Sequence, residues 1–113
     1  MVSIESFKKL ALSFDEVQEL PHFEKTSFRV NKKIFATLDI SKKRACLKFT
    51  EIEQSVFGAF DKTIIYPAPG AWGKKGFTYV ELKKVRTDML KDAIVVSYCN
   101  VAPKKLAEKY KQH

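Results

Sequence analysis

The sequence predicts a single α+β domain with a helix at each end and five antiparallel strands between, in the order α-β-β-β-α-β-β-α. Three observations predict it. Apolar residues recur at three- and four-residue steps near the N-terminus and again over residues 87–98, between them the period falls to two, and clusters of turn-forming residues cut the alternating region into short runs. The 113 residues form one ordinary domain over 1–113, since halves would bury too little surface to stand without metals or disulfides. A 45% hydrophobic fraction with only four Gly and four Pro excludes a disordered or fibrous chain.

Ser3 caps a first helix, about Ser3 to Ser13, whose Ile4, Phe7, Leu10, Ala11 and Phe14 form one buried stripe. Asp15 to Glu24 holds four acids and Pro21, which pushes Leu20 toward extended backbone, so the segment reads as an irregular connector. From Thr26 the chain alternates. Phe28 and Val30 lead into an Asn31-Lys32 turn, Ile34, Ala36, Leu38 and Ile40 share the next face, and after Ser41-Lys42-Lys43 a third strand carries Ala45, Leu47 and Phe49. Thr50-Glu51-Ile52-Glu53 is a capping box for a short helix ending near Gly58. Thr63 to Tyr66 and Phe77 to Leu82 are β-rich runs on either side of a loop containing Pro67, Pro69, Gly70, Gly73 and Gly76. Thr87 and Asp88 open a helix apolar around most of its circumference, and Pro103 starts a last basic one.

Cys46 and Cys99 stand far apart with no CxxC, which suggests neither a zinc cage nor a disulfide framework and fits a reduced, cytoplasmic setting. The longest aliphatic run, Ala93 to Val96, is far short of the about 20 residues that span a bilayer, and the N-terminal apolar stretch is too short for a secretion signal, so no membrane is expected.

Several spaced segments together resemble the MmcQ/YjbR-like family. They are Pro21-His22-Phe23, Ser27-Phe28-Arg29-Val30, Lys33-Ile34-Phe35-Ala36, Gly70-Ala71-Trp72-Gly73, Gly76-Phe77-Thr78, and Tyr98 with Val101-Ala102-Pro103-Lys104-Lys105-Leu106. The resemblance implies a small two-layer protein with an antiparallel sheet against helices, akin to secretion chaperones and frataxin-like folds. It also implies DNA binding through paired basic hairpins, and it brings no catalytic residue with it. Where this sequence has Phe77, relatives often carry Trp.

Charge is unevenly placed. Residues 1–24 carry two bases and five acids, residues 25–48 eight bases and one acid, and the chain as a whole is +8. The expected function is therefore a non-enzymatic nucleic-acid module, with Lys32, Lys33, Lys42, Lys43, Arg44, Lys74 and Lys75 as phosphate contacts, because such affinity comes from neutralised phosphates and released counterions. Basic turns also keep sheets soluble and discourage edge pairing. The face opposite the aliphatic one is expected to carry Ser27, Arg29, Phe35, Thr37, Cys46, Lys48, Phe77 and Tyr79. Of these Arg29, Phe35, Phe77 and Tyr79, with Trp72, form a stacking surface for bases or, in the alternative reading, an interface for a protein partner or a second copy.

The remaining motifs are explained without chemistry. Gly70 to Gly76 lacks the spacing of a phosphate loop and precedes a strand, so its glycines serve the turn while Trp72 plugs the core or stands out as a recognition knob. His22 between Glu19 and Glu24 has no companion ligands nearby in sequence, and no metal or other cofactor is expected. Neither cysteine has a visible activating base, and Cys99 reads as a small apolar filler.

Overall fold

A computed structural model of the chain describes residues 1–111. In chain order the elements are α1 (Ile4–Leu12), β1 (Val17–His22), β2 (Lys25–Val30), β3 (Lys33–Asp39), β4 (Arg44–Lys48), α2 (Glu51–Gly58), β5 (Ile65–Pro67), α3 (Ala71–Lys74), β6 (Phe77–Glu81), α4 (Thr87–Val101) and α5 (Lys104–Ala107), with a 3-10 turn over Glu108–Tyr110. The strands form one antiparallel sheet in the order β1-β2-β3-β4-β6-β5. An α+β domain with an antiparallel sheet against helices is thus what the residues build, but the sheet has six strands and not five.

The extra strand is β1, which falls in the segment expected to be an irregular connector. It pairs along its whole length with β2, from Val17 opposite Val30 to His22 opposite Lys25. Its position explains why its pattern misleads. β1 lies at the edge of the sheet, so the missing N–H of Pro21 interrupts no second ladder, and four exposed residues in a row leave no apolar alternation to see. β5 forms the other edge and includes Pro67 for the same reason.

Helices α1, α2 and α4 cover one face. The hydroxyl of Ser3 accepts from the Ser6 N–H to start α1, whose Phe7 and Ala11 are buried. α2 begins with the expected capping box: Thr50 accepts from the Glu53 N–H at 3.2 Å and Glu53 accepts from the Thr50 N–H at 2.9 Å. α4 buries Leu90, Ala93, Ile94, Ser97 and Tyr98, the three- and four-residue stripe of a helix lying on a sheet. Tyr98 sits at the centre of an aromatic cluster, with the rings of Phe14, Phe35 and Tyr110 within 5.4 Å of its own.

Phe35 belongs to that cluster and not to the opposite face, where alternation places it. A β-bulge shifts the register between Phe28, opposite Ala36, and Arg29, opposite Ile34, leaving Phe35 as the unpaired residue. The bulge exchanges the sides of two neighbours: Phe35 turns in, 1% exposed, while Ile34 joins Arg29 outside the core. Ile40 likewise leaves its expected face, lying in the β3–β4 turn and exposed. The bulge also removes a ladder bond. In the β3–β4 register Ala36 faces Leu47, so the next pair is Phe35 with Lys48, and here the hydroxyl of Ser97 stands between the strands. It donates to the Phe35 carbonyl at 2.6 Å and accepts from the Lys48 N–H at 2.8 Å.

The expected Gly-rich loop contains α3 and is held by close backbone approaches. A Cβ on Gly73 would lie 2.0 Å from the Ala68 carbonyl oxygen, and one on Gly76, whose φ is +102°, would lie 1.9 Å from that of Phe49. Gln54 on α2 secures the same segment, its side-chain amide donating to Gly73 O, Phe77 O and Thr78 Oγ1.

Three outcomes follow from this packing. Ser97→Ala leaves a buried carbonyl and a part-buried N–H without their partner and is expected to cost about 1–3 kcal/mol in denaturant unfolding. Gly76→Ala, facing both a clash and a left-handed φ, should cost about 3 kcal/mol or more, whereas Gly58→Ala, with its nearest contact at 3.5 Å, should stay within about 1 kcal/mol. Burial first, then the neighbouring Tyr110 and Asp15, push the Tyr98 hydroxyl up to about 12. Its neutral form is thus favoured by folding: the stabilisation is complete below the ordinary tyrosine value of 10.0 and is lost as pH rises toward 12. Tyr98→Phe, which loses the bond to the Asp15 carbonyl, should be about 1 kcal/mol less stable at neutral pH and fall less steeply in alkali.

Candidate nucleic-acid interface

The second face of the sheet is open, and α3 is the helix that leans over it. Strand register places a continuous row across it: Leu20 opposite Ser27, then Thr37, Cys46, Tyr79 and Tyr66. On either side of the row stand cations. Arg44 lies opposite Glu81, Lys48 opposite Phe77, Arg29 opposite Gln18, and Lys25 opposite His22.

Three of the cations on this side of the molecule rest on aromatic rings. The Arg44 guanidinium is 4.0 Å from the centroid of Tyr79, the Lys48 ammonium 4.5 Å from that of Phe77, and the Lys75 ammonium 5.3 Å from that of Trp72. Trp72 itself meets Phe77 edge to face at 5.3 Å and is 62% exposed, so it is a projecting ring and does not plug the core. Further bonds fix the array: Lys48 also donates to the Lys75 carbonyl, Arg29 Nε donates to Ser27 Oγ at 3.0 Å, and Tyr66 donates to Glu81.

Burial opposes the charge on Arg44, but the Tyr66 hydroxyl beside it, then Tyr79 and Glu81, more than offset this and hold its pKa above the ordinary value. Burial pushes the Cys46 thiol up, against the pull of Lys25 and Arg44, so at neutral pH it is a thiol and a poor nucleophile. Cys99 is pushed up by burial in the same way. Among the described residues no three His, Cys, Asp or Glu side chains gather closely enough to hold a metal ion, and no helix is long and apolar enough to cross a membrane.

The seven expected phosphate contacts do not form one patch. The Asn31-Lys32 turn, both residues with positive φ, lies at one end of the sheet, and because β6 runs antiparallel to β4, Lys74 and Lys75 precede Phe77 at that same end. Lys32, Lys33, Lys74 and Lys75 are exposed there, and Lys33 and Lys48 share a cavity with Phe77 and Asn100. Lys42 and Lys43 sit at the opposite end, the length of β3 or about 20 Å away. Arg44 is no free tip residue, being committed to Tyr79. Of the expected stacking residues, Arg29, Phe77 and Tyr79 lie on the open face, Trp72 overhangs it, and Phe35 is in the core.

Lys25, Tyr66 and His22 also belong to the open face and were not among the expected residues. Lys25 shares its parity with Ser27 and Arg29, and Tyr66 precedes Pro67 in a run already read as a strand, so both were within reach of alternation. His22 was not, because its side depends on β1 being a strand.

The comparisons with known proteins agree with this fold. The crystal structure of the Deinococcus radiodurans protein DR2400, a DUF419 domain, matches with a TM-score of 0.80 over 97% of this chain and 88% of that one, at 20% identity. That likeness establishes the architecture alone. No curated protein matches the chain. The YjbR family profile matches residues 12–100, a stretch that runs from the end of α1 through nearly all of α4 and takes in every strand of the sheet. The chain belongs to the YjbR family.

Proposed function

We propose that the protein is a non-enzymatic nucleic-acid-binding module of the cytoplasm that takes a single strand, DNA in the first instance, across the open face of its sheet. The observation that carries this reading is the set of three aromatic rings on that side, Tyr79, Phe77 and Trp72, each paired with a cation. Bases of any sequence stack on such rings while the cations meet phosphates, the combination used by sheets that bind single strands. Lysines stand at both ends of the face, Lys32, Lys33, Lys74 and Lys75 at one and Lys42 and Lys43 at the other. In this reading the basic turns hold a strand at its entry and exit, and a pair of adjacent wings on a duplex is replaced by a path between them.

A second reading, an adaptor for a protein partner or a second copy in the manner of a secretion chaperone, is favoured by a different observation. Ile52, Val56 and Phe60 are large, apolar and exposed on and just after α2. Salt separates the two, because phosphate contacts release counterions and an apolar interface does not.

A short oligothymidylate is expected to bind at low salt, with affinity falling as salt rises by about 0.7 in log–log slope for each phosphate contact. Changing Lys33, Lys74 and Lys75 to Ala should flatten that slope by about 2 units, whereas changing Lys91, Lys104 and Lys105, exposed on the helical side, should leave it nearly unchanged. Equal losses from both triples would reduce the effect to net charge. No binding at low salt would put the adaptor reading first.

A further inference from the structure

We propose that the cleft between Phe77 and Tyr79 receives one nucleobase, with its phosphate at the His22–Lys25 rim, so that the protein binds a mononucleotide by itself. The inference rests on the strand-binding reading for its class of ligand and adds where one base is held. The cleft has a volume of about 320 Å³, at the small end of ligand sites. Phe77, Tyr79 and Trp72 line it, Cys46 is on its floor, and His22 and Lys25 close one side.

The spacing suits a planar ring. Residues two apart on one side of a strand stand about 6.8 Å from each other, twice the 3.4 Å between stacked bases. Phe77 and Tyr79 are such a pair. Each is held by a cation. Arg44, over Tyr79, sits opposite Glu81, beyond Tyr79 from Phe77, and Lys48, over Phe77, reaches back to the Lys75 carbonyl on the α3 side. A base entering the gap therefore meets walls that are already ordered, and less side-chain freedom is lost on binding. The cation of the rim is Lys25. Lys25 is exposed there, and although Asp39 lies near it, that carboxylate is engaged by the Ser41 hydroxyl and the Lys42 N–H.

Trp72 is the sole tryptophan of the chain and lines the cleft, so its fluorescence reports occupancy directly. Cys46 on the floor and Cys99, on α4 of the other layer, give a second readout. The whole protein is titrated at low salt with thymidine 5′-monophosphate, with inorganic phosphate in parallel, while iodoacetamide alkylation of each thiol is followed by mass spectrometry at mildly alkaline pH. The expected result is saturable quenching of Trp72 and at least a tenfold slowing of Cys46 alkylation with Cys99 unchanged, neither being produced by phosphate alone. Phe77→Leu and Tyr79→Leu should each raise the half-saturating concentration about tenfold, and the wild-type protection holds as a test even where a variant folds poorly. The cleft proposal is overturned if the nucleotide leaves Cys46 unprotected while oligothymidylate still binds, which spares the strand reading, or if phosphate protects as well as the nucleotide. Protection by the nucleotide without oligonucleotide binding keeps the cleft and removes the strand reading. Failure of both ligands removes both.

Discussion

The hydroxyl of Ser97 occupies the place where two strands cannot meet. Without it, the bulge at Phe35 would leave the Phe35 carbonyl and the Lys48 N–H facing each other unpaired across a gap under a helix. With it, one side chain of α4 joins β3 and β4 and fixes the height and rotation of the helix on the sheet. The bulge then becomes useful. It brings the Phe35 ring into contact with Phe14 and Tyr98, anchoring the end of α1 and the C-terminal turn to the same centre. It also keeps a large ring off the open face, where Thr37 and Cys46 form a low floor between taller side chains.

Features that depend on neighbours in sequence were legible, and features that depend on neighbours in space were not. The capping box at Thr50, the apolar stripe of α1 and the turn at Asn31-Lys32 each need only a few consecutive residues to declare themselves, and each formed as expected. β1 needed knowledge of where the sheet ends, because Pro21 and a run of polar residues are tolerated only on an edge. The side taken by Phe35 needed knowledge of a bulge, whose only trace in the sequence is a buried-type residue on the wrong parity. At the candidate site the same division holds. Parity alone placed Arg29, Phe77 and Tyr79 on one face, but whether seven basic residues converge is a question of topology, and the meander sends successive turns to opposite ends.

Charge counting accordingly overstates any single patch and understates the face. The positive charge of the open side is distributed along it, and part of it is held against aromatic rings or balanced by Asp39 and Glu81. A cation over a ring keeps its charge while giving up mobility, so the face presents fixed charge at fixed spacing. That arrangement differs from the solvated lysines of the turns, which attract any polyanion at a distance and specify nothing about its path.

The glycines around α3 connect this face to the stability of the fold. Gly73 and Gly76 let the segment press against the Ala68 and Phe49 carbonyls, and Gln54 ties it to α2 from the helical side. A segment clamped so closely has little freedom to place its side chains elsewhere, and Trp72, one residue before Gly73, is thereby carried over Phe77 and left mostly in solvent. Holding the only tryptophan outside the core forgoes the burial energy that a ring of that size would supply. The same chain could have turned between β5 and β6 with a small polar residue at no such cost, and in the proposed strand-binding role the exposed ring is the part of the α3 segment that meets a base over the open face.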